Sequence, residues 1–538
     1  MITGAQTACV VFIEGSRGQL TGCTLKDAQE MHGILCDGKG TGVEMKDCKM
    51  IQNGISGVIA TYGAVMKLSK CATAENQSSG YCVQKKGEIE VVECSSTGDK
   101  QGFKVYKGGR LKALKAEITD SVERGAYVSE GGFGDFRETI IMQSGTVGVE
   151  VKHSKSHLIM ADGVISKSGS ACVAATQGGK AQLEGCSMTR ACTVGVEVSS
   201  NGTDLHAQAC QLFSNQQGGA TCHDYGCATL TACHSKSNGL GGYMVSDNGV
   251  MNLTACTSKS DKVGCSSSRD GWLSGKDVTV EDTYGHGIRV WGAGAGDLSG
   301  CKVINCRSQG VEVKDLNSKL YMKDSSVTET KLGCILVSKG AQGAFHGCEV
   351  SLAKAGHGIE ASGKGTVAEV STSTLTDSSK AGAYVADRAS MMLVECVTSG
   401  HNVSGYEVQG RGAILRLNKS ISKGDRIGCH ASKEGKVSAT ECTLQRNPIC
   451  GLSIAKAGKA DLHECMVEEC GANGVEVTNI RSFVSMTDCS VSSPGRACVL
   501  LSGMAKGELH GCVLTKAQKL HGTEVTGDGT EITMTECR

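Results

Sequence analysis

The chain has 538 residues, with 74 glycines, 2 prolines, 4% aromatics, and 55 basic side chains against 55 acidic ones. That length exceeds one ordinary hydrophobic core, and so few aromatics exclude a wide globular one. The charge balance leaves no global field for nucleic acid, and no apolar run approaches the ~18 residues of a membrane span.

The first residues, MITGAQTACVVFIEGSRG, carry neither a basic stretch nor a long apolar core. No secretory signal is expected there. Thirty cysteines without one fit a reducing, cytoplasmic setting. A local basic run, Lys100 to Lys115, reads as a solvated face.

The cysteines mark a repeat. Cys23, Cys48, Cys71 and Cys94 are spaced 25, 23 and 23. Cys186 to Cys256 and Cys442 to Cys537 keep the same interval, and Cys301, Cys348 and Cys396 hold the phase between them. Ser325 and Lys419 are read as fillers where the cysteine is missing. The period is about 23.4 residues, which gives about 23 units over the whole chain.

One unit is GVEVSSNGTDLHAQACQLFSNQQ, starting at Gly195. Val196, Glu197 and Val198 alternate apolar, outward, apolar, which is a short strand. A turn at Asn201-Gly202 follows, then a second strand around Leu205, then a third around Cys210 and Leu212. Three short strands in so few residues bury a core only by pairing with their copies one unit later. That pairing is parallel, and its crossovers are right-handed. The predicted fold is therefore all-β, a right-handed parallel β-helix solenoid of about 23 coils with three short strands per coil. It is expected to form a single domain over 1–538, a rod roughly 110 Å long at the usual strand spacing. Pro448 and Pro494 fall in the closing loop, where no ladder bond is lost. Neither end shows a capping segment, so a fragment or end-to-end self-association is expected.

The pattern in LEGCSM (Leu183–Met188), LSGCKV (Leu298–Val303), LHECMV (Leu462–Val467) and LHGCVL (Leu509–Leu514) resembles the parallel β-helix repeats of the pectin-lyase-like superfamily. In style it is most similar to the β-helix domains of F-box substrate receptors and related eukaryotic scaffolds. The resemblance implies the fold; that superfamily holds lyases, hydrolases, epimerases and pure binders.

No C-x-x-C occurs, so no zinc site and no other metal is expected, and no cofactor. The ladder cysteines read as buried free thiols, small side chains in a narrow core.

Chemistry, if present, belongs to outward strand positions. In coil order these are read as Glu150, Cys172 or Val173, Glu197, Thr221, Met244, Ser266, Arg289, Glu312, Ile335, Glu360, Tyr384, Glu407, His430, Ser453, Glu476, Val499 and Glu524. The most enzyme-like stretch is Glu360, Tyr384, Glu407 and His430, four candidate catalytic residues, with the two carboxyls two coils apart. Gly285-His286-Gly287 is similar to the Gly-His-Gly of polygalacturonases, but the accompanying aspartates are absent, and Gly356-His357-Gly358 repeats it. Both are read as loop-end histidines. Trp272, Arg289 and Trp291 are candidate binding residues for a sugar or peptide. The favoured function is a non-enzymatic recognition or scaffold surface for a protein partner or carbohydrate. The alternative is a polysaccharide lyase, hydrolase or epimerase. Neither nucleic acid nor membrane is an expected partner.

Overall fold

The computed structural model describes all residues from Met1 to Arg538. It is an all-β parallel solenoid of about 23 turns, built from 69 strands in three sheets, with no helix. The chain divides into two compact units. The first comprises Met1–Ser266 with Gly271–Ser274, the second Ser267–Asp270 with Gly275–Arg538.

A coil of the first unit shows the plan. Lys49–Ile51 is a three-residue strand of the short sheet. Ser56–Thr61 belongs to the motif sheet, which elsewhere carries Gly-Val-Glu-Val. Val65–Ser69 belongs to the broad sheet. Each strand pairs in parallel with its copy one coil on: Thr73 with Met50, Tyr81 with Val58, Ile89 with Met66. In the second unit, Val475 pairs with Val499 and Glu476 with Leu500.

Alternation sets the core. Broad-sheet strands repeatedly expose their first, third and fifth residues and bury the second and fourth, as in Lys180–Glu184 and Lys319–Lys323. The inward residues are Val, Leu, Ile, Met and Ala. Three tyrosines also lie fully inside, and each satisfies its hydroxyl. Tyr406, for example, donates to the carbonyls of Cys396 at 3.1 Å and Ile421 at 3.0 Å.

The corners are tight. The residue between the broad and short strands adopts a left-handed conformation, as at Asp47 (φ 54°), although it is not glycine. It keeps its ladder bond, Asp47 N–H to Ser69 O at 3.1 Å, so the corner costs no unpaired donor. The motif glycine has another cause. A Cβ on Gly474 would stand 2.3 Å from Val491 Cγ1 and 2.7 Å from the Cys498 carbonyl.

The cysteine ladder sits at the entry to the short strand. All thirty cysteines are free, and the ladder members are buried apart from Cys23 and Cys537. They do more than fill space. Cys489 Sγ donates to Thr487 O at 3.2 Å and accepts the Cys465 N–H at 3.4 Å. Where cysteine is missing, serine makes the same two bonds. Ser325 donates to Lys323 O at 2.7 Å and accepts the Cys301 N–H at 3.0 Å. The filler near 419 is Ser420, not Lys419. Ser420 bridges Cys396 and Asn418, while Lys419 takes the left-handed corner at φ 48°. Both prolines lie in loops.

Three positions read as outward are core instead. Val173, Ile335 and Val499 are fully buried, and the outward residues of those coils are Ala174, Leu336 and Leu500. In each coil a cysteine, Cys172, Cys334 or Cys498, stands where the corner glycine normally does. Counting from a missing glycine therefore shifts the reading by one residue, which flips the face.

Candidate functional site

In the second unit the outward column of the motif sheet is set by alternation alone. Glu360 pairs with Tyr384, Tyr384 with Glu407, and Glu407 with His430. The four predicted residues thus occupy one column on four consecutive coils, about 4.8 Å per step. Glu360 and Glu407 stand two steps apart, roughly 9.6 Å by that spacing.

This face is less open than the outer faces of the other sheets. All four side chains are half-buried, whereas outward positions of the broad sheet are mostly exposed. The protonation states follow. Burial pushes the carboxyls of Glu360 and Glu407 above the usual carboxylate range, partly offset for both by the charge of Lys380. Burial likewise raises the Tyr384 hydroxyl to about 12, helped by the two neighbouring glutamates. His430 is pressed below its ordinary value by burial, so it is neutral at pH 7. Its Nδ1 has no hydrogen-bond partner.

Three residues outside the predicted four complete the arrangement. His357 lies flat on Tyr384, with ring centroids 4.2 Å apart and planes 8° from parallel. Its Nδ1 accepts the Ala381 N–H at 3.2 Å, which places the ring proton on Nε2. Burial lowers its pKa to about 3. Ser404 donates to Glu407 Oε2 at 3.2 Å, and Gln409 Nε2 donates to the Tyr384 hydroxyl at 3.3 Å. The sequence signal for His357 is the Gly-His-Gly. It sets a histidine just ahead of the strand, on the same face and one coil before Tyr384.

Further along the same column Arg289 pairs with Glu312, Nε to Oε2 at 2.6 Å. Lys314 and His286 also approach that carboxylate, at 3.9 and 3.6 Å. The Arg289 guanidinium covers the Trp291 ring at 4.8 Å from its centroid. Arg289 and Trp291 are therefore brought together. Trp272 stands on the broad sheet of the first unit, 44% exposed.

The first unit neutralises its motif-face glutamates. Glu150 is paired with Arg124, and Glu197 with His223 at 3.3 Å. The bond to Glu197 raises His223 to about 9. The basic run is partly compensated too, through Lys100 with Glu123 and Lys115 with Glu138. No group of three or more His, Cys, Asp or Glu side chains converges to hold a metal ion.

Chemically, the column from Glu360 to His430 offers two carboxyls of raised pKa, a neutral imidazole and a phenol along one half-buried track. Carboxyls of raised pKa can hold or accept a proton near neutral pH.

The family described as "Right handed beta helix region" matches residues 1–135, 115–258 and 357–514. No curated protein matches the chain. Among solved structures, a PL6 family alginate lyase, AlyGC, is 7% identical with a TM-score of 0.28, covering 92% of this chain and 98% of that one. The periplasmic alginate epimerase AlgG is 9% identical with a TM-score of 0.22, covering 80% and 77%. Pectate lyase Pel9A is 12% identical with a TM-score of 0.25, covering 54% and 67%. With the family model spanning most of the sequence and parallel coils in both units, the chain belongs to the right-handed β-helix family.

Proposed function

We propose that the motif face of the second unit binds a polysaccharide chain and hydrolyses a glycosidic bond in it. The observation that carries this reading is the unbroken register of Glu360, Tyr384, Glu407 and His430 on a half-buried face. Two strand steps set the two glutamate backbones roughly 9.6 Å apart. That is just beyond the ~6.5–9.5 Å between carboxyls that inverting hydrolysis uses, so the two side chains must lean slightly toward each other for one carboxyl to protonate the leaving oxygen while the other activates water. Glu407, held by the Ser404 hydroxyl, takes the part of the base, and Glu360 that of the acid. Tyr384 lies between them, and its stack on His357 fixes the phenol where a sugar ring would rest.

The test is incubation of the full chain with a panel of neutral and uronic-acid polysaccharides, reading new reducing ends and unsaturated products separately. Reducing ends without unsaturation, lost in both Glu360→Gln and Glu407→Gln, support hydrolysis. Unsaturated products would replace it with elimination. Binding without turnover would replace it with recognition.

That last outcome is the second reading: a non-catalytic surface for a protein or glycan partner, in the manner of the β-helix domains of F-box receptors. Its support is that Glu150, Glu197 and Glu312 on the motif face are already held by cations.

A further inference from the structure

The second unit carries another concave surface, on the broad sheet and its flanking turns. It encloses about 890 Å³. Its floor is one outward column, the first residue of successive broad strands. Ile414 pairs with Lys436, Lys436 with Lys459, Lys459 with Phe483, and Phe483 with Lys506. Its rim is the row of turns between motif and broad strands, where Ile480 is 58% exposed and Met504 50%.

The charge here is lopsided in a chain that is balanced overall. Arg411, Lys436, Lys459, Arg481 and Lys506 line the groove, against Glu434 alone. Arg411 is matched by Glu434 and Lys506 by Glu531. Lys436, Lys459 and Arg481 face no carboxylate within ion-pair distance, although elsewhere on this chain cations and acids on adjacent coils commonly pair. Three uncompensated cations within two strand steps repel one another, an arrangement that an anionic partner relieves.

We infer that this groove binds an extended acidic segment of a protein partner, one with acidic and apolar side chains in alternation. Two rows of different character run side by side along the groove. The floor presents Lys436 and Lys459 one strand step apart and Lys506 two steps further, beyond Phe483, and the rim presents aliphatic Ile480 and Met504. An extended peptide directs successive side chains to opposite sides, so acidic residues meet the lysines while apolar ones meet the rim. A polyanionic glycan offers charge but no aliphatic row, and it stacks best on flat aromatic rings; the groove has a single one, Phe483. The surface is on a different sheet from the Glu360–His430 column, so the inference is independent of the function proposed for that column.

The experiment uses the full chain and a fluorescein-labelled peptide of alternating glutamate and leucine, followed by fluorescence anisotropy. Saturable binding is expected, weakened by added salt. The double variant Lys436→Glu, Lys459→Glu is expected to lose at least about tenfold in affinity, since two attractive contacts become repulsive. Ile480→Ser is expected to lose about three- to tenfold, as for an apolar contact of this size. All these positions are at the surface, and circular dichroism is the check that each variant is folded. Absence of saturable binding overturns the inference. So does binding unaffected by either variant. Polygalacturonate displacing the peptide, with Ile480→Ser leaving peptide affinity unchanged, would assign the groove to polyanions in general and overturn the peptide reading as well.

Discussion

The imidazole of His357 lies parallel to the phenol ring of Tyr384, 4.2 Å away, one coil earlier on the same face. His357 is neutral in this contact at pH 7. Burial takes its pKa down to about 3, against about 6.5 in the unfolded chain. The sign follows from linkage. A depressed histidine contributes stability that is complete above pH 6.5 and is lost as pH falls toward 3, because the unfolded state binds the proton first. By pH 5 that loss is about 2 kcal/mol. The raised carboxyls of Glu360 and Glu407 act oppositely, gaining stability as pH falls, so the effect is read as a difference between variants. His357→Phe keeps a ring on Tyr384 and removes the titration. Its stability relative to wild type is expected to rise by about 2 kcal/mol between pH 7.5 and pH 5, measured by urea unfolding at each pH. Tyr384→Ala loses the stack, about 0.5–1.5 kcal/mol, at every pH beyond the effect of lost area.

The thiol ladder predicts which residues can replace one another. Ser420 receives the Cys396 N–H and donates to Asn418 O. Ser420→Cys reproduces what Cys489 does further along the same ladder and is expected to cost under about 1 kcal/mol. Ser420→Ala leaves the buried Cys396 N–H without a partner, while Asn418 O keeps the Glu395 N–H, and is expected to cost about 1–3 kcal/mol. Equal losses in the two variants, measured by denaturant unfolding, would mean that the column is held by volume alone.

What is legible in the sequence separates by periodicity. The coil period, the three strands and the register of Glu360, Tyr384, Glu407 and His430 follow from alternation, which neighbouring strands enforce together. Legibility ends where a residue breaks the repeat's own signposts. Cysteine in place of the corner glycine at 172, 334 and 498 shifts three outward assignments. Ser420 stays hidden while cysteine counts only as an apolar filler, because the role it shares with cysteine is two hydrogen bonds. The partners His357, Lys380 and Ser404 are obscured for another reason. They come from the loop before the motif strand, which stacks coil on coil but is not a strand, so no two-residue alternation tells which way each side chain points.

Buried carboxylates make a third expectation. Asp99 is fully buried and faces no cation. Its four bonds come from Asn76 N–H at 2.7 Å, Asn76 Nδ2 at 2.7 Å, Thr73 Oγ1 at 2.7 Å and Ser96 Oγ at 2.6 Å. Asn53 extends the same row from the coil before, donating to Asn76 Oδ1. Even with four donors, burial leaves the Asp99 pKa raised. A raised carboxyl opposes folding as pH rises from the unfolded value, about 3.9, through the folded one. Asp99→Asn removes that penalty, and its hydroxyl partners can turn to accept. It is expected to gain on wild type between pH 4 and pH 7. Asp99→Ala, which strands several buried donors, is expected to lose about 3 kcal/mol or more at either pH. Thermal unfolding of the three proteins at the two pH values decides it.

The last expectation concerns Arg289 and Glu312. The pair is half sheltered, with side-chain exposures of 27% and 11%, so solvent screening weakens it less than a surface bridge. A double-mutant cycle of Arg289→Ala and Glu312→Ala is expected to give a coupling of about 1–3 kcal/mol in stability. Glu312 also faces His286 and Lys314, so removing it alone should cost more than removing Arg289 alone. It would leave three cationic or titratable groups facing one another. His286 reports this directly. Burial lowers its pKa, and Glu312 is what holds it up against Arg289 and Lys314. Glu312→Gln should therefore move the His286 pKa further down in an NMR titration, while Arg289→Ala should move it up. A His286 that titrates alike in all three proteins would show that the four side chains do not act as one electrostatic unit.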